Sequence, residues 1–240
     1  MTYTPPVTEQ MFVLDHIARI DAMAAHDKYA AATPDMVEAI VTGIGDFAAD
    51  VYAPLNRVGD THNPKWQDGK VTMPPGFKEA YEQFVEAGWG SLDGPGEYGG
   101  QDLPFTLATV VIEALGTANM GFTLCSILTP GAIHALMAYG TGKQRQTWLP
   151  KLVTGEWNGT MNLTEPAAGS DVGALRSTAE KVTEGPNAGL YKIKGQKIFI
   201  TFGEHDLTDN IVHLVLARTP GAPEGTRGIS LFLVPKYRLD

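Results

Sequence analysis

The feature that most constrains this chain is a change of period near Trp157. Before it, apolar residues return every three or four positions; after it, they alternate with polar ones. A chain that switches once, from helices to strands, folds as separate α and β parts rather than as repeated β-α-β units. In the helical part, Phe12, Ile17, Ile20 and Met23 recur at helical spacing, with Val13, Leu14 and Ala24 widening the face. Thr33-Pro34-Asp35 is a helix start, because the fixed φ of proline suits a first turn. Met36, Val37, Ile40, Val41, Ile44, Phe47, Ala48 and Val51 carry that helix to Pro54. Residues 56–76 read as a long loop, with a short hairpin about Gln67-Asp68-Gly69-Lys70. Pro75 opens the next helix, which Gly88 stops, and LDGPGEYGGQDLP is a turn-rich connection. The longest helical region is 104–138, interrupted near Asn119-Met120-Gly121, and a further helix ends at Gly155.

In the second part, Tyr191 and Ile193 alternate with Lys192 and Lys194, and Ile198 and Ile200 with Phe199 and Thr201. With Lys194-Gly195-Gln196 between them, the two runs predict a hairpin. Further strands are expected at 210–218 and 227–236, and shorter ones at 159–164 and 175–182. The expected class is therefore segregated α+β: an all-α domain over 1–157, then an antiparallel β module over 158–240. About six strands, the last ending at LFLVPKYRLD, would leave an open sheet with an unpaired edge, so the sequence reads as cut in mid-domain.

Composition narrows the function. A formal net charge of −9 with no basic cluster argues against nucleic acid as the main partner. The single cysteine, Cys125, rules out an internal disulfide framework and a thiol metal site; in the apolar run GFTLCSIL it reads as a buried, inert thiol. His134, His205 and His213 lack metal-ligand spacing, and a loop hydrogen bond is the expected role of His205. No G-x-G-x-x-G follows a strand and opens a helix. No apolar stretch is expected to approach the length of a membrane span, and the N-terminus lacks the order of a signal peptide, so the expected compartment is the cytoplasm.

One segment is rich in chemistry: MNLTEPAAGSDVGAL, residues 161–175. Its small side chains let a ligand approach the backbone, Gly169 and Gly173 can take positive φ, Thr164 and Ser170 offer hydroxyls, and successive N–H groups can cup a ligand. Residues alone favour a tight connection between strands, with Thr and Ser capping turns.

The same segment resembles the first signature of the acyl-CoA dehydrogenase family, with Asn162 departing at the first position and Leu163 to Ala174 fitting. GWGSLDGPGEYGGQDLP (88–104) resembles the family's loop before its central helices. YGTGKQRQTWLPKLVTGEW (139–157) and GQKIFITFGEHD (195–206) resemble two further family segments in order and spacing. NRVGD, PPGFKEAY, GEHDLTDNIVHLVLAR and GTRGISLFLVPK are similar to a longer-chain bacterial branch, whose members act on 3-methylmercaptopropionyl-CoA or fatty acyl-CoA.

The resemblance implies a helical domain and a truncated antiparallel β-barrel-like middle domain, with the family's C-terminal helical domain absent from this chain. It implies FAD as cofactor and α,β-dehydrogenation of an acyl-CoA, the Cα proton going to a Glu outside this chain and the Cβ hydride to the flavin. By resemblance Met161, Leu163, Thr164, Gly169, Ser170, Phe199 and Thr201 contact FAD, and Ser170 also serves the substrate. No catalytic residue is expected within the chain; Glu165 and Asp171 become acceptors that fix the loop. Phe199 stands where many relatives carry Trp. The acyl cavity floor is expected from 104–138, with Tyr98 near it, while Trp89, Trp148 and Trp157 are packing residues. Implied partners are an electron-transfer flavoprotein and either a homo-oligomer of the complete chain or a C-terminal polypeptide. The alternatives are an acyl-CoA oxidase or flavin monooxygenase offshoot, and a non-catalytic flavin- or acyl-CoA-binding subunit.

Overall fold

The computed structural model describes residues 3–239. The chain divides into two compact units: Met1–Asn158 with Glu204–Asp209, and Gly159–Gly203 with Asn210–Asp240. Among the described residues the first holds eight α-helices: α1 Val7–Phe12, α2 Ile20–Ala24, α3 Pro34–Phe47, α4 Ala53–Thr61, α5 Phe77–Glu86, α6 Phe105–Thr123, α7 Thr129–Tyr139 and α8 Gly142–Val153. It also holds the hairpin β1 Lys65–Gln67 and β2 Lys70–Thr72.

Local chemistry accounts for the helix boundaries. Thr33 caps α3 by accepting from the Met36 N–H, with Pro34 in the first turn. Thr141 and Gln144 form a reciprocal capping box on α8. The core is apolar and aromatic. Tyr52 stacks on Phe122 with centroids 4.6 Å apart, and Phe77 packs on Phe122 at 4.5 Å. Each such buried ring stabilises by about 1.5–3 kcal/mol before entropy is counted.

Three expectations fail in this unit. The stripe from Phe12 to Met23 is not one face: a π-helical turn at Val13–Ile17 and a positive φ at Arg19 rotate the register. Leu14 and Ile20 are buried, while Phe12, Val13 and Ile17 face solvent. Residues 56–61 are helical rather than loop. A second π-helical turn, Ala48–Tyr52, precedes Pro54 and places it in the first turn of α4, so the chain runs on as a helix past the proline expected to end it. Third, α6 is long and apolar enough, by length and composition, to cross a membrane. Over half of it is buried in this unit, so it is a core helix.

α6 bends at Asn119, whose backbone leaves helical geometry as expected near that position. The Asn119 side chain repairs the break: Nδ2 donates to the Tyr52 carbonyl at 3.2 Å and Oδ1 accepts from the Phe122 N–H at 3.1 Å. The segment Glu204–Asp209 interrupts the sheet in sequence but belongs to the helical unit. There His205 is buried and its Nδ1 accepts from the Leu207 N–H, while Asp206 accepts from the Met73 N–H at 3.0 Å.

The other unit is a five-stranded sheet: β3 Asn158–Asn162, β4 Thr178–Lys181, β5 Tyr191–Lys194, β6 Ile211–Arg218 and β7 Ile229–Pro235. β6 is central and pairs with β3, β4 and β7. β4–β5 and β6–β7 are antiparallel, but β4 runs parallel to β6 at Thr178 and Arg218, so the sheet is mixed, not purely antiparallel. The hairpin expected from 191 to 201 is also wrong. β5 pairs with β4, with Ala179 opposite Ile193, and residues 195–200 leave the sheet. Phe199 and Phe202 both take positive φ, which no strand allows.

Candidate functional site

The segment after β3 and the segment after β5 come together in the sheet unit. The Ile198 N–H donates to the Thr164 carbonyl at 3.0 Å. Lys197 Nζ donates to the Leu163 carbonyl at 3.0 Å and to Glu165 Oε1 at 2.7 Å. Glu165 accepts two further bonds, from the Arg176 N–H at 2.6 Å and the Ser177 N–H at 3.1 Å. Its own N–H and carbonyl close a turn on Ala168. One carboxylate thus ties together three stretches of chain: 163–168, 176–177 and 197–198.

The pair is buried, with side chains 5% exposed for Glu165 and 10% for Lys197. Burial by itself would raise the carboxyl pKa. The Lys197 and Ser177 hydrogen bonds and the backbone N–H groups outweigh it and bring the pKa down to about 2. A carboxylate held this acidic is a poor proton acceptor near neutral pH.

The seven residues expected to contact a cofactor lie on the chain segments that run into and out of this knot. Met161 on β3 and Leu163, Thr164 and Thr201 are half-buried. Gly169 and Ser170 are exposed, and Phe199 presents its ring almost wholly to solvent at 88%. The 197–198 anchor ties the segment that carries Phe199 and Thr201 to Leu163 and Thr164, and Gly169 and Ser170 follow the Glu165–Ala168 turn in sequence. Neither Gly169 nor Gly173 takes the positive φ that their residue type permits. A side chain added at Gly169 would meet nothing within 4 Å, so that backbone faces open space. Asp171 is exposed. The guanidinium of Arg218 caps the far end of the loop, donating to the Gly173, Gly225 and Pro223 carbonyls at 2.6, 2.7 and 2.8 Å.

Sequence reasoning overlooked Lys197 and Arg218. Lys197 lies between Gln196 and an apolar pair, a position that reads as an outward strand residue. The available signal was Glu165, a carboxylate in a small-residue loop that needed a cationic partner if buried.

The helical unit contains a second candidate: a largely apolar cavity of about 40 Å³. Its wall includes Tyr81, Phe84, Trp89, Ile112, Leu115 and Ile127. Most of it comes from 104–138; Tyr98 is not in the wall, and Trp89, read as a packing residue, is. The Tyr81 hydroxyl donates to the Gly155 carbonyl at 2.7 Å, and burial pushes that phenol far above its ordinary pKa. Cys125 is buried nearby in sequence, its thiol also raised by burial, and Asn158 Nδ2 holds its carbonyl at 2.8 Å. It is an inert thiol. Trp148 and Trp157 pack on each other, 5.7 Å between ring centroids. His134 is exposed, and His213 Nδ1 shares a hydrogen bond with Thr160 at 2.7 Å.

Residues 34–156 match the N-terminal domain of acyl-CoA dehydrogenases and residues 160–239 the middle domain. The chain belongs to the acyl-CoA dehydrogenase family. It is 48% identical over 236 residues to the 3-methylmercaptopropionyl-CoA dehydrogenase of Ruegeria pomeroyi, covering 98% of this chain and 40% of that protein. It is 34% identical over 243 residues to a broad-specificity linear acyl-CoA dehydrogenase of Mycobacterium tuberculosis, covering 99% of this chain and 38% of that one. Among solved structures, an acyl-CoA dehydrogenase of Bacillus anthracis complexed with FAD superposes with a TM-score of 0.66 at 25% identity, over 85% of this chain and 31% of that one. The chain thus spans about two fifths of the length of these curated relatives.

Proposed function

We propose that this chain forms the FAD-facing and acyl-facing part of an acyl-CoA dehydrogenase, and that the whole protein oxidises the α–β bond of a short acyl-CoA, 3-methylmercaptopropionyl-CoA or a fatty acyl-CoA. The observation that carries the reading is the anchoring of Ile198 on Thr164 and of Lys197 on Leu163 and Glu165. It supports gathering Met161, Leu163, Thr164, Phe199 and Thr201 into one face, with an exposed aromatic ring and two hydroxyls. Open space over Gly169 leaves room for a planar, polar-edged group, and the exposed Phe199 ring offers an apolar face. When bound, FAD would supply the hydride acceptor.

The chain's own residues bind and orient. Thr164 and Thr201 offer hydroxyls to the flavin edge, Gly169 and Ser170 offer open backbone and a hydroxyl to the flavin and the CoA arm, and the cavity under α6 takes the acyl tail. Glu165 is excluded as the base that removes the Cα proton. It is saturated by Lys197, Arg176 and Ser177 and ionises near pH 2, so it holds the loop. That base is assigned to a Glu outside this chain. An electron-transfer flavoprotein is the proposed acceptor.

The test is flavin retention. Purified protein should carry the flavin absorbance. Replacing Thr201 or Ser170 by Ala, each removing one hydrogen-bonding group, should weaken FAD binding by about 5- to 10-fold in equilibrium dialysis. Undiminished FAD affinity in both variants would overturn the site.

A further inference from the structure

We propose that Trp89 is a specificity-determining residue: its indole closes the α6 cavity to long acyl tails and donates a hydrogen bond to a heteroatom near the end of a short one. The inference rests on the acyl-binding reading of this cavity.

Size comes first. The cavity offers about 40 Å³, room for roughly three water-sized groups, so its seat takes a tail end of a few heavy atoms. Phe84 and Trp89 are the bulkiest side chains of the wall contributed from outside α6 and α7 other than Tyr81, whose hydroxyl is fixed on Gly155. Trp89 cannot swing back toward α3. A Cβ placed on Gly43 would lie 3.2 Å from the indole Cη2, and the Phe47 ring packs on it with centroids 6.2 Å apart. The indole is a fixed stop.

Polarity comes second. The Tyr81 hydroxyl donates to Gly155, the Thr123 hydroxyl donates to the Asn119 carbonyl at 2.9 Å, and the Ser126 hydroxyl donates to the Thr123 carbonyl at 3.3 Å. The Trp89 Nε1–H is buried with no hydrogen-bond partner among the described residues. An indole nitrogen can only donate, and a buried unpaired donor is costly. A ligand that brings an acceptor to this wall recovers that cost, whereas an all-carbon tail of the same length does not.

The experiment uses the full chain and isothermal titration calorimetry with three thioesters: 3-(methylthio)propionyl-CoA, pentanoyl-CoA, which replaces its sulfur by a methylene, and octanoyl-CoA. The wild type should bind the first about 3-fold more tightly than the second. It should bind octanoyl-CoA at least about 10-fold more weakly than pentanoyl-CoA. Trp89→Phe, which keeps an aromatic stop and removes the donor, should erase the sulfur preference and still exclude octanoyl-CoA. Trp89→Leu should admit octanoyl-CoA. If Trp89→Phe keeps the preference, or Trp89→Leu still rejects octanoyl-CoA, the assignment of Trp89 is overturned while acyl binding stands. If the wild type binds none of the three thioesters, the acyl-binding reading fails and takes the proposal with it.

Discussion

The two candidate sites are built by opposite means. The cavity in the helical unit is walled by side chains on α5, α6, α7 and α8, and its shape is set by packing volume. The loop site in the sheet unit is irregular backbone, and its shape is set by one buried ion pair and the N–H groups around it. Packing is distributed, so a helical wall tolerates the loss of one polar contact. An ion pair is concentrated, so the loop has a single point of failure.

The largest expected effect follows from that concentration. Lys197→Met strands the Glu165 carboxylate in a buried site, and should cost about 3–5 kcal/mol in urea unfolding of the sheet unit. The double variant Glu165→Gln with Lys197→Met should recover part of this loss. A single-variant cost below about 1 kcal/mol would break the contrast between the two sites. Next, Gly195→Ala should cost about 1–3 kcal/mol, because a Cβ there collides with the Ser177 side chain and backbone.

Acid should separate the units as well. The folded Glu165 carboxyl ionises near 2 against an ordinary value of 4.5. Its contribution is complete above the ordinary value and is lost as pH falls through about 4.5 toward 2. Hydrogen exchange at Arg176 and Ser177 should therefore rise over that window in the wild type, and the rise should vanish in Glu165→Gln. In the helical unit, Tyr81→Phe should cost only about 1 kcal/mol, read from thermal unfolding, with no change in pH dependence, because the phenol does not titrate over that range. The smallest effect is expected at Gly169→Ala. With nothing within 4 Å, stability should stay unchanged, yet FAD affinity should fall if the open backbone there is the ligand's seat.

Sequence legibility divided along the same line. The helix start at Thr33 was readable because a cap and a first-turn signal are local. The break at Asn119 was readable too, although its repair by Tyr52, 67 residues away, was not. The run 198–201 misled because alternation reports residue type alone. Phe199 and Thr201 alternate as a strand would, but Ile198 bonds to Thr164 instead of to a neighbouring strand, and Phe199 turns to positive φ. The π-helical turns at Val13–Ile17 and Ala48–Tyr52 shifted periodicities that assume 3.6 residues per turn.

The sequence by itself determined the order of helices and strands, the two signature segments and the small-residue loop, since period, capping and glycine content are properties of neighbours along the chain. Only the tertiary structure decided what Glu165 and Trp89 do. A carboxylate acquires its partner, and an indole its surroundings, from residues distant in sequence: Lys197 lies 32 positions from Glu165, and the wall that Trp89 shares reaches as far as Gly155.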